Sequence, residues 1–203
     1  MTKFFISIII CLIPSNILRI YLLNFLKNYE VDFDSHIGFG TIILARKATI
    51  KNSKIGFLNI INVKCFDTDN SNIANLNIIK KFYKFKVSKG SIIGSYNKII
   101  GKNINEGSLI MNKSQFSTEN LINVNNEFSV GENVVFGGKN SKINVGLTNK
   151  PTIIKNNVYF GTSVFVIAGI KIQEGTLIGA GSVVTKNIEK NGLYVSHKIQ
   201  KVN

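Results

Sequence analysis

Residue types that build metal and nucleophile sites are scarce in this chain. Its 203 residues include two cysteines, two histidines and no tryptophan. Cys11 and Cys65 are too few for a disulfide framework and have no metal-ligand spacing around them. We predict that both are buried and reduced. With only His36 and His197 available, a zinc site built from three histidines is excluded, and we predict no metal site.

Acidic residues are also scarce, with 11 Asp and Glu against 25 Lys and Arg, which gives a formal charge of +14. The lysines are scattered, and Ile, Asn and Lys are all abundant, as in the product of an AT-rich coding sequence. No homeodomain, zinc-finger or RNP pattern occurs. We therefore expect a solvated basic surface and no nucleic-acid partner. A phosphate-bearing ligand or an anionic membrane surface would use the same charge.

A six-residue period runs through the C-terminal part of the chain. The first column is Ile154, Phe160, Val166, Ile172, Ile178 and Val184. A second column, four residues on, is Val158, Val164, Ile170, Thr176, Ser182 and Ile188. A period of six fits neither an amphipathic helix nor a plain hairpin strand. It is the signature of a parallel β-helix, in which stacked coils bury the first column.

The same period extends back to Ile37 with slips, so we predict a β-helix over residues 36–190 with about seven coils. One slip leads to a column that includes Ile104 and Ile110. Two segments lose the period. Residues 65–76 are predicted to be a loop leaving one corner, and residues 138–152 a protruding loop. Residues 191–203 are predicted to form a C-terminal cap.

Residues 1–35 form an apolar appendage. The run from 4 to 13 is too short to cross a bilayer, and no cleavage site of a signal peptide follows it. A second apolar segment covers residues 17–26, with Ser15 or Asn16 as its N-cap. One interpretation is a helical hairpin that caps the first coil. The other is a peripheral membrane anchor, with Lys3, Arg19 and Lys27 near lipid phosphates.

The stretch from Asn157 to Ile188 resembles the hexapeptide-repeat acyltransferases, above all in Ile178-Gly-Ala-Gly-Ser-Val-Val-Thr-Lys-Asn-Ile188. The earlier blocks are similar to the branch that O-acetylates surface polysaccharides. The resemblance implies an all-β fold, a left-handed parallel β-helix with a short N-terminal helical segment. It also implies a homotrimer with its active site between subunits, and acetyl-CoA as donor.

In that family the donor lies along the C-terminal coils. The matching positions here are Gly161, Thr162, Ala168, Gly169, Gly179, Ala180, Thr185 and Lys186. Gly and Ala let the pantetheine arm approach backbone amides, and Lys186 can neutralise a phosphate. The alternative is that the Gly and Ala residues only make tight corners.

The family's general base is a histidine in the loop after one particular six-residue repeat, which begins with Val130-Gly-Glu-Asn in this chain. Its expected position falls near Val145 and Gly146, and neither is a histidine. His36 reads as a corner residue of the first coil, and His197 is a weak candidate for the base.

A carboxylate could replace the histidine. Glu119, Glu127 and Glu132 lie in the right part of the sequence, but none has an evident partner, so the catalytic residue stays unassigned.

The leading hypothesis is an acyl-CoA-dependent O-acyltransferase, with acetyl as the acyl group, acting on a sugar hydroxyl of a surface glycan or its lipid-linked precursor. We expect it in the cytoplasm, at the inner face of the membrane. One alternative is a catalytically inactive β-helix that serves as a scaffold or regulatory protein. Another is a basic membrane-surface binder whose coils act as a spacer.

Overall fold

The computed structural model describes residues 2–124, 127–146 and 148–196. In these ranges 25 short strands wind into a parallel β-helix of eight coils, one more than predicted. Each coil gives one strand to each of three parallel sheets, here named A, B and C, which form the faces of a triangular prism. The predicted fold class, an all-β parallel helix with a short N-terminal helical segment, is confirmed.

Sheet A opens each coil. It consists of β1 (Glu30–Val31), β4 (Lys47–Lys51), β7 (Cys65–Asp69), β10 (Lys84–Ser88), β13 (Ser108–Asn112), β16 (Glu127–Val130), β19 (Thr152–Ile154) and β22 (Lys171–Ile172).

Sheet B follows. It consists of β2 (His36–Ile37), β5 (Lys54–Ile55), β8 (Asn72–Ile73), β11 (Ile92–Ile93), β14 (Gln115–Thr118), β17 (Val135–Lys139), β20 (Tyr159–Phe160), β23 (Thr176–Ile178) and a ninth strand, β25 (Gly192–Tyr194).

Sheet C closes each coil. It consists of β3 (Ile42–Leu44), β6 (Ile60–Asn62), β9 (Ile78–Lys80), β12 (Lys98–Gly101), β15 (Leu121–Val124), β18 (Lys142–Val145), β21 (Phe165–Ile167) and β24 (Val183–Val184).

Coil length explains where the period slips. Lys47 pairs with Cys65 and Cys65 with Lys84, so an uninterrupted coil takes 18 or 19 residues, that is, three sixes with at most one extra residue. Two coils take 24 residues because the connections 102–107 and 146–151 are extended, and both insertions leave the corner between sheets C and A. The first insertion is as long as one repeat, so it imitates a strand in the sequence. The predicted column members Ile104 and Ile110 are therefore wrong: Ile104 is exposed, and Leu109 and Met111 point inward.

Both predicted loops need correction. Residues 65–76 do not leave the coil, because they form β7 and β8 despite their Asn and Asp content. Their inward positions, Phe66 and Ile73, still fit the pattern and are buried. Within 138–152, β17 continues through Lys139 and residues 142–145 form β18. Of the described residues in this stretch after β18, only Gly146 and 148–151 lie outside the strands.

The two predicted columns of the late repeat do form the core, since all twelve residues are at most 7% exposed. In sheet B the inward column includes Phe116, Phe136 and Phe160, whose ring centroids lie 4.6 and 4.4 Å apart in succession. Aromatic stacking of this kind joins consecutive coils.

A buried polar ladder runs beside the apolar core, inside the corner between sheets B and C. Its members are Asn59, Asn77, Asn97 and Asn120, one to a coil. Each side-chain carbonyl accepts a hydrogen bond from the main-chain N–H one coil on, at 2.9 to 3.0 Å. The ladder satisfies main-chain groups that a corner would otherwise leave without partners.

Two helices, α1 (Thr2–Cys11) and α2 (Asn16–Lys27), lie on the open end of the first coil. Ser15 is the N-cap of α2, as predicted. The Asn16 carboxamide donates to the Ser35 carbonyl and accepts from the N–H of Ile37 in β2. The Asn24 carboxamide bonds both main-chain groups of Val31 in β1, and the Ser7 hydroxyl donates to the carbonyl of Ile43 in β3. The helices thus cover the unpaired edges of all three sheets.

Arg19 does not fit the membrane-anchor interpretation, which placed it near lipid phosphates. Its side chain is buried against the first coil. The guanidinium donates hydrogen bonds to the main-chain carbonyls of Ile13, Pro14 and Ile37. The apolar side of α2 points the other way, with Ile17 and Phe25 more than 60% exposed. Neither helix has the length and apolar character needed to cross a membrane.

At the other end, β25 pairs with β23 and extends sheet B. The chain then crosses to sheet C, where the Ser196 hydroxyl accepts a hydrogen bond from the Val183 N–H. Residues 197–203, including His197, lie outside the described residues, so the cap predicted for 191–203 is seen only as far as Ser196.

Candidate functional site

The eight predicted donor-binding residues lie on two edges of the prism. The corners between sheets B and C carry Gly161, Thr162, Gly179 and Ala180. The corners between sheets C and A carry Ala168, Gly169, Thr185 and Lys186. All eight belong to the seventh coil (β19 to β21) and the eighth (β22 to β24).

The glycines of the corner between sheets B and C are packed against the next layer. A Cβ atom on Gly161 would lie 2.5 Å from the main-chain nitrogen of Ala180, and one on Gly179 would lie 2.6 Å from Cγ1 of Val195. Their N–H groups also donate to carbonyls of the next layer. These two glycines therefore serve the close stacking of the coils, the structural role that the sequence left open for them.

Gly169 joins the other edge to the 146–151 insertion. It has φ of 79°, and its N–H donates to Oγ1 of Thr152 at 2.7 Å. The Thr152 hydroxyl in turn donates to Oδ1 of the buried Asn144 at 2.5 Å. A Cβ atom on Gly169 would lie 2.9 Å from Cγ2 of Thr148. The insertion, next to which the family histidine was expected, thus lies against the predicted donor residue Gly169.

Five of the eight predicted residues keep their main-chain N–H groups available. The amides of Gly161, Gly169 and Gly179 are all used within the coils. The others form no hydrogen bond through their N–H with any residue in the described ranges: Thr162, Ala168, Ala180, Thr185 and Lys186. Available N–H groups at corners can bond the carbonyl oxygens of an extended ligand.

A cavity of about 260 Å³ opens at the last coil, lined by residues 182–188 and 194–196. It contains the predicted residues Thr185 and Lys186. It also contains Tyr194 and Val195, which sequence reasoning missed because the period ends before them and gives no signal there. Since pockets for drug-sized ligands start at about 300 Å³, this cavity suits part of an acyl-CoA, and the rest would lie along the corners.

The three candidate glutamates are not brought together. Glu119 lies at a corner between sheets B and C, Glu132 at a corner between A and B, and Glu127 at the start of a sheet A strand. Glu132 pairs with Lys113 at 3.2 Å and with Lys89 at 3.9 Å.

Of the three, Glu119 shares an edge with predicted donor residues. Its carboxylate lies 3.9 Å from Nζ of Lys139. Main-chain groups of Lys139 exchange two hydrogen bonds with the Thr162 hydroxyl, at 3.2 and 2.9 Å. A line of contacts therefore runs from Glu119 through Lys139 to Thr162 across three consecutive coils.

The histidines offer no base at this end of the described chain. His36 is in β2 of the first coil, six coil steps from β20, or roughly 29 Å at a strand spacing of about 4.8 Å. At the expected position, β18 ends at Val145, and Gly146 is exposed with φ of 111°. Among the described residues, no three His, Cys, Asp or Glu side chains are grouped to hold a metal ion.

The relatives of this chain include a protein named as an acetyltransferase and the bifunctional protein GlmU. A Schizosaccharomyces pombe protein whose name describes it as an acetyltransferase is 40% identical over 84 residues, which are 37% of this chain and 39% of that protein. The bifunctional protein GlmU of Thermodesulfovibrio yellowstonii is 29% identical over 116 residues, 57% of this chain and 24% of GlmU. GlmU of Wigglesworthia glossinidia brevipalpis is 33% identical over 120 residues, 54% of this chain and 26% of GlmU.

These relatives confirm the predicted resemblance to the hexapeptide-repeat acyltransferases. The chain spans less than half the length of each. No family model matches it. The solved structure of the polySia-specific acetyltransferase NeuO covers 79% of this chain and 73% of NeuO at 18% identity, with a TM-score of 0.24, and we draw nothing from a likeness this low.

Proposed function

We propose that this protein is an acyl-CoA-dependent O-acyltransferase that transfers an acetyl group to a sugar hydroxyl in surface polysaccharide synthesis. The observation that carries the proposal is the arrangement at coils seven and eight. There, Thr185 and Lys186 carry amides without partners in the described chain and line an open cavity, and Gly169 on the same edge lies against the 146–151 insertion. The acetyltransferase relatives support the same class of reaction.

The donor is proposed to bind by its extended shape. The N–H groups of Ala180, Thr185 and Lys186 can bond carbonyl or phosphate oxygens, and the Lys186 ammonium adds a positive charge for a phosphate. Apolar side chains such as Val183 and Val195 give the cavity a surface for the pantetheine chain or the adenine. We propose a homotrimer in which a neighbouring copy completes this open groove.

In the reaction, the oxygen of the acceptor hydroxyl bonds to the thioester carbonyl carbon. The carbon–sulfur bond breaks, CoA leaves as the thiol, and the proton of the hydroxyl ends on that sulfur. A base must accept the proton in between. Glu119 is the carboxylate we propose to test for this role, because it alone of the three glutamates shares an edge with Thr162.

Donor binding and turnover test the proposal separately. Titration calorimetry with acetyl-CoA should give saturable binding to the full chain, and desulfo-CoA should compete. Release of CoA thiol should then depend on an added glycan acceptor. Absence of binding at millimolar acetyl-CoA would refute the proposal at its first step. Binding without acceptor-dependent release, with a broad set of acceptors, would refute the transfer.

The second candidate function is a catalytically inactive scaffold. It is favoured by the lack of histidine in the 146–151 insertion and by the distance of His36 from the last coils. Position 145 is the place to install a histidine, because Gly146 has φ of 111°, which L side chains rarely adopt. An inactive scaffold predicts that Val145→His changes no rate, whereas turnover by the native chain excludes this candidate.

A further inference from the structure

A second cavity lies at the opposite end of the prism from the donor site. It has a volume of about 250 Å³ and is formed where the start of α1 meets the end of α2. Its lining carries three cationic side chains, Lys27, Arg46 and Lys64. Phe4, Leu44, Ala45, Asn62, Val63, Ile104 and Asn105 complete it.

Positive charge in this cavity is weakly compensated. Arg46 and Lys64 have no carboxylate within 4 Å among the residues the structure describes. Lys64 lies over the ring of Tyr83, at 4.9 Å from its centroid, which fixes the ammonium without neutralising it. In the described part of the chain no acidic side chain lines the cavity itself; Glu106 and Glu127 line the neighbouring depression, and Glu30, Asp32 and Asp34 are exposed elsewhere on the first coil. The cavity is therefore suited to an anion.

An exposed apolar face adjoins the cavity. It is made of the outward side chains of α1, α2 and the connection between them: Phe4, Phe5, Ile9, Leu12, Ile17, Leu18, Tyr21, Phe25 and Leu26. Phe4 belongs to both the face and the cavity lining. Neither helix contains an acidic residue, and the charge of Arg19 points inward.

An anion site bordered by a large apolar surface matches the chemistry of a phospholipid, in which a phosphate lies next to acyl chains. Apolar faces of this extent on soluble proteins mark an interaction surface. Short amphipathic helices with cations at the rim lie in the plane of an anionic bilayer, with the apolar face in the interface. The cavity beside this face carries Lys27, Arg46 and Lys64, and the chain as a whole carries a formal charge of +14, which favours an anionic bilayer over a second copy of this cationic chain.

We propose that the α1–α2 face docks on an anionic phospholipid bilayer and that Lys27, Arg46 and Lys64 hold a lipid phosphate in the cavity. In this contact the first coil lies at the membrane surface, and the prism extends away from the membrane toward the last coil. It does not depend on acyl transfer.

Flotation of the full chain with vesicles tests the proposal. Vesicles of phosphatidylcholine mixed with phosphatidylglycerol should carry the protein, and raising the salt concentration should release it, since screening shortens the range of surface charge. The double variant Arg46→Gln/Lys64→Gln should lower the partition coefficient about 20- to 30-fold, because each basic residue at such a surface contributes about 1 kcal/mol. The matched control Lys171→Gln/Lys190→Gln removes the same charge from the far end and should change it less than about threefold.

The apolar part of the contact has its own variant. Ile17→Ser/Phe25→Ser alters two side chains that are more than 60% exposed, so the fold should persist, as circular dichroism can verify. This variant should lose binding to the mixed vesicles. Equal binding to pure phosphatidylcholine, or equal binding by the Gln and control variants, would overturn the phosphate site.

Two further outcomes would overturn the bilayer contact itself. One is that no vesicle binds while Ile17→Ser/Phe25→Ser changes the oligomeric state, which would make the face a contact between copies. The other is saturable binding of inorganic phosphate at the cavity with no vesicle binding, which would make the ligand a soluble anion.

Discussion

The Nε atom of Arg19 donates to the main-chain carbonyl oxygen of Ile37 at 3.0 Å, and Nη2 donates to the same oxygen. Together with its bonds to Ile13 and Pro14, this guanidinium joins α2, the connection from α1 and the first coil at one buried point. Among the described residues no carboxylate lies within 4 Å of it, and its hydrogen-bond partners are main-chain carbonyl oxygens.

Replacing Arg19 should detach the helical cap. We expect Arg19→Leu to lower the free energy of unfolding by about 3 kcal/mol, because hydrogen bonds to a charged group are lost and buried carbonyls are left without partners. Denaturant unfolding followed by circular dichroism measures this. The control Lys54→Leu, at an exposed position of β5, should change stability by less than about 0.5 kcal/mol. A stability of Arg19→Leu equal to that of the control would mean that the cap is held by apolar contacts alone.

Gly161 should be a packing position and not a ligand position. In Gly161→Ala the new Cβ would meet main-chain atoms of Ala180, so overpacking should cost about 2 kcal/mol of stability. Ala180→Ser, at the exposed neighbouring corner, should cost less than about 0.5 kcal/mol. Thermal denaturation of both variants checks the difference. An unchanged stability of Gly161→Ala would show that the corner can shift to admit a side chain.

Lys186 should govern donor affinity if the proposed function is right. Lys186→Ala should weaken acetyl-CoA binding about tenfold, since a charge-assisted hydrogen bond to phosphate contributes about 1.5 kcal/mol or more. Lys190→Ala removes an equal charge close by in sequence but outside the cavity, and its effect should stay below about twofold at physiological salt. Calorimetry on both variants measures the ratio. Equal losses would mean that only net charge matters.

The two cysteines should differ in reactivity. Cys65 is half-buried, whereas Cys11 is buried beneath the helical cap. Burial raises the pKa of the Cys11 thiol, although the nearby Arg19 charge opposes this. A raised pKa means less thiolate at a given pH, so Cys11 should react only in alkaline solution, and the more accessible Cys65 should react faster.

Labelling with a thiol-disulfide reagent between pH 7 and pH 10 measures the two reaction rates. This range spans the usual pKa of a free thiol, about 8.5. Cys65→Ser should retain only the slow, alkaline reaction, and Cys11→Ser only the fast one. In denaturant both variants should react at the same rate. A fast reaction of Cys11 at neutral pH in the native chain would show that the cap opens readily.

The late repeat could be predicted almost completely because nothing interrupts it. From Ile154 to Ile188 each six forms one strand and one corner, so the sequence period and the burial pattern coincide. Residues 102–107 could not be predicted, because an insertion as long as the repeat keeps an apolar residue, Ile104, near the expected phase. Only the pairing of Lys84 with Ser108 reveals it.

The asparagines gave a misleading signal. Their abundance was attributed to an AT-rich coding sequence, and in 65–76 it favoured a loop. In the structure Asn59, Asn77, Asn97 and Asn120 occupy the same place in successive coils and are at most 3% exposed. A hydropathy scale that scores each residue by itself predicts that a polar residue at the inner side of a corner is solvent-exposed. Only the register of the coils shows that these asparagines stack.

The candidate site was predicted in part. The resemblance placed the donor residues in the last two coils, but it could not separate glycines needed for stacking from residues with available amides. Nor could it find Tyr194 and Val195, because a segment without a period carries no positional information. Glu119 is near Thr162 only through the stacking of three coils, which sequence distance does not express.

The edge between sheets C and A carries both proposed binding sites. Arg46 and Lys64 lie on it at the first coils, both insertions leave it, and Lys186 lies on it after the last coil. Seven coil spacings separate Arg46 from Lys186, or roughly 34 Å. In a chain bound to a bilayer, this distance would select the length of the acceptor. A sugar attached directly to a membrane lipid would be too close to the surface, whereas a glycan several residues long could reach the acyl donor.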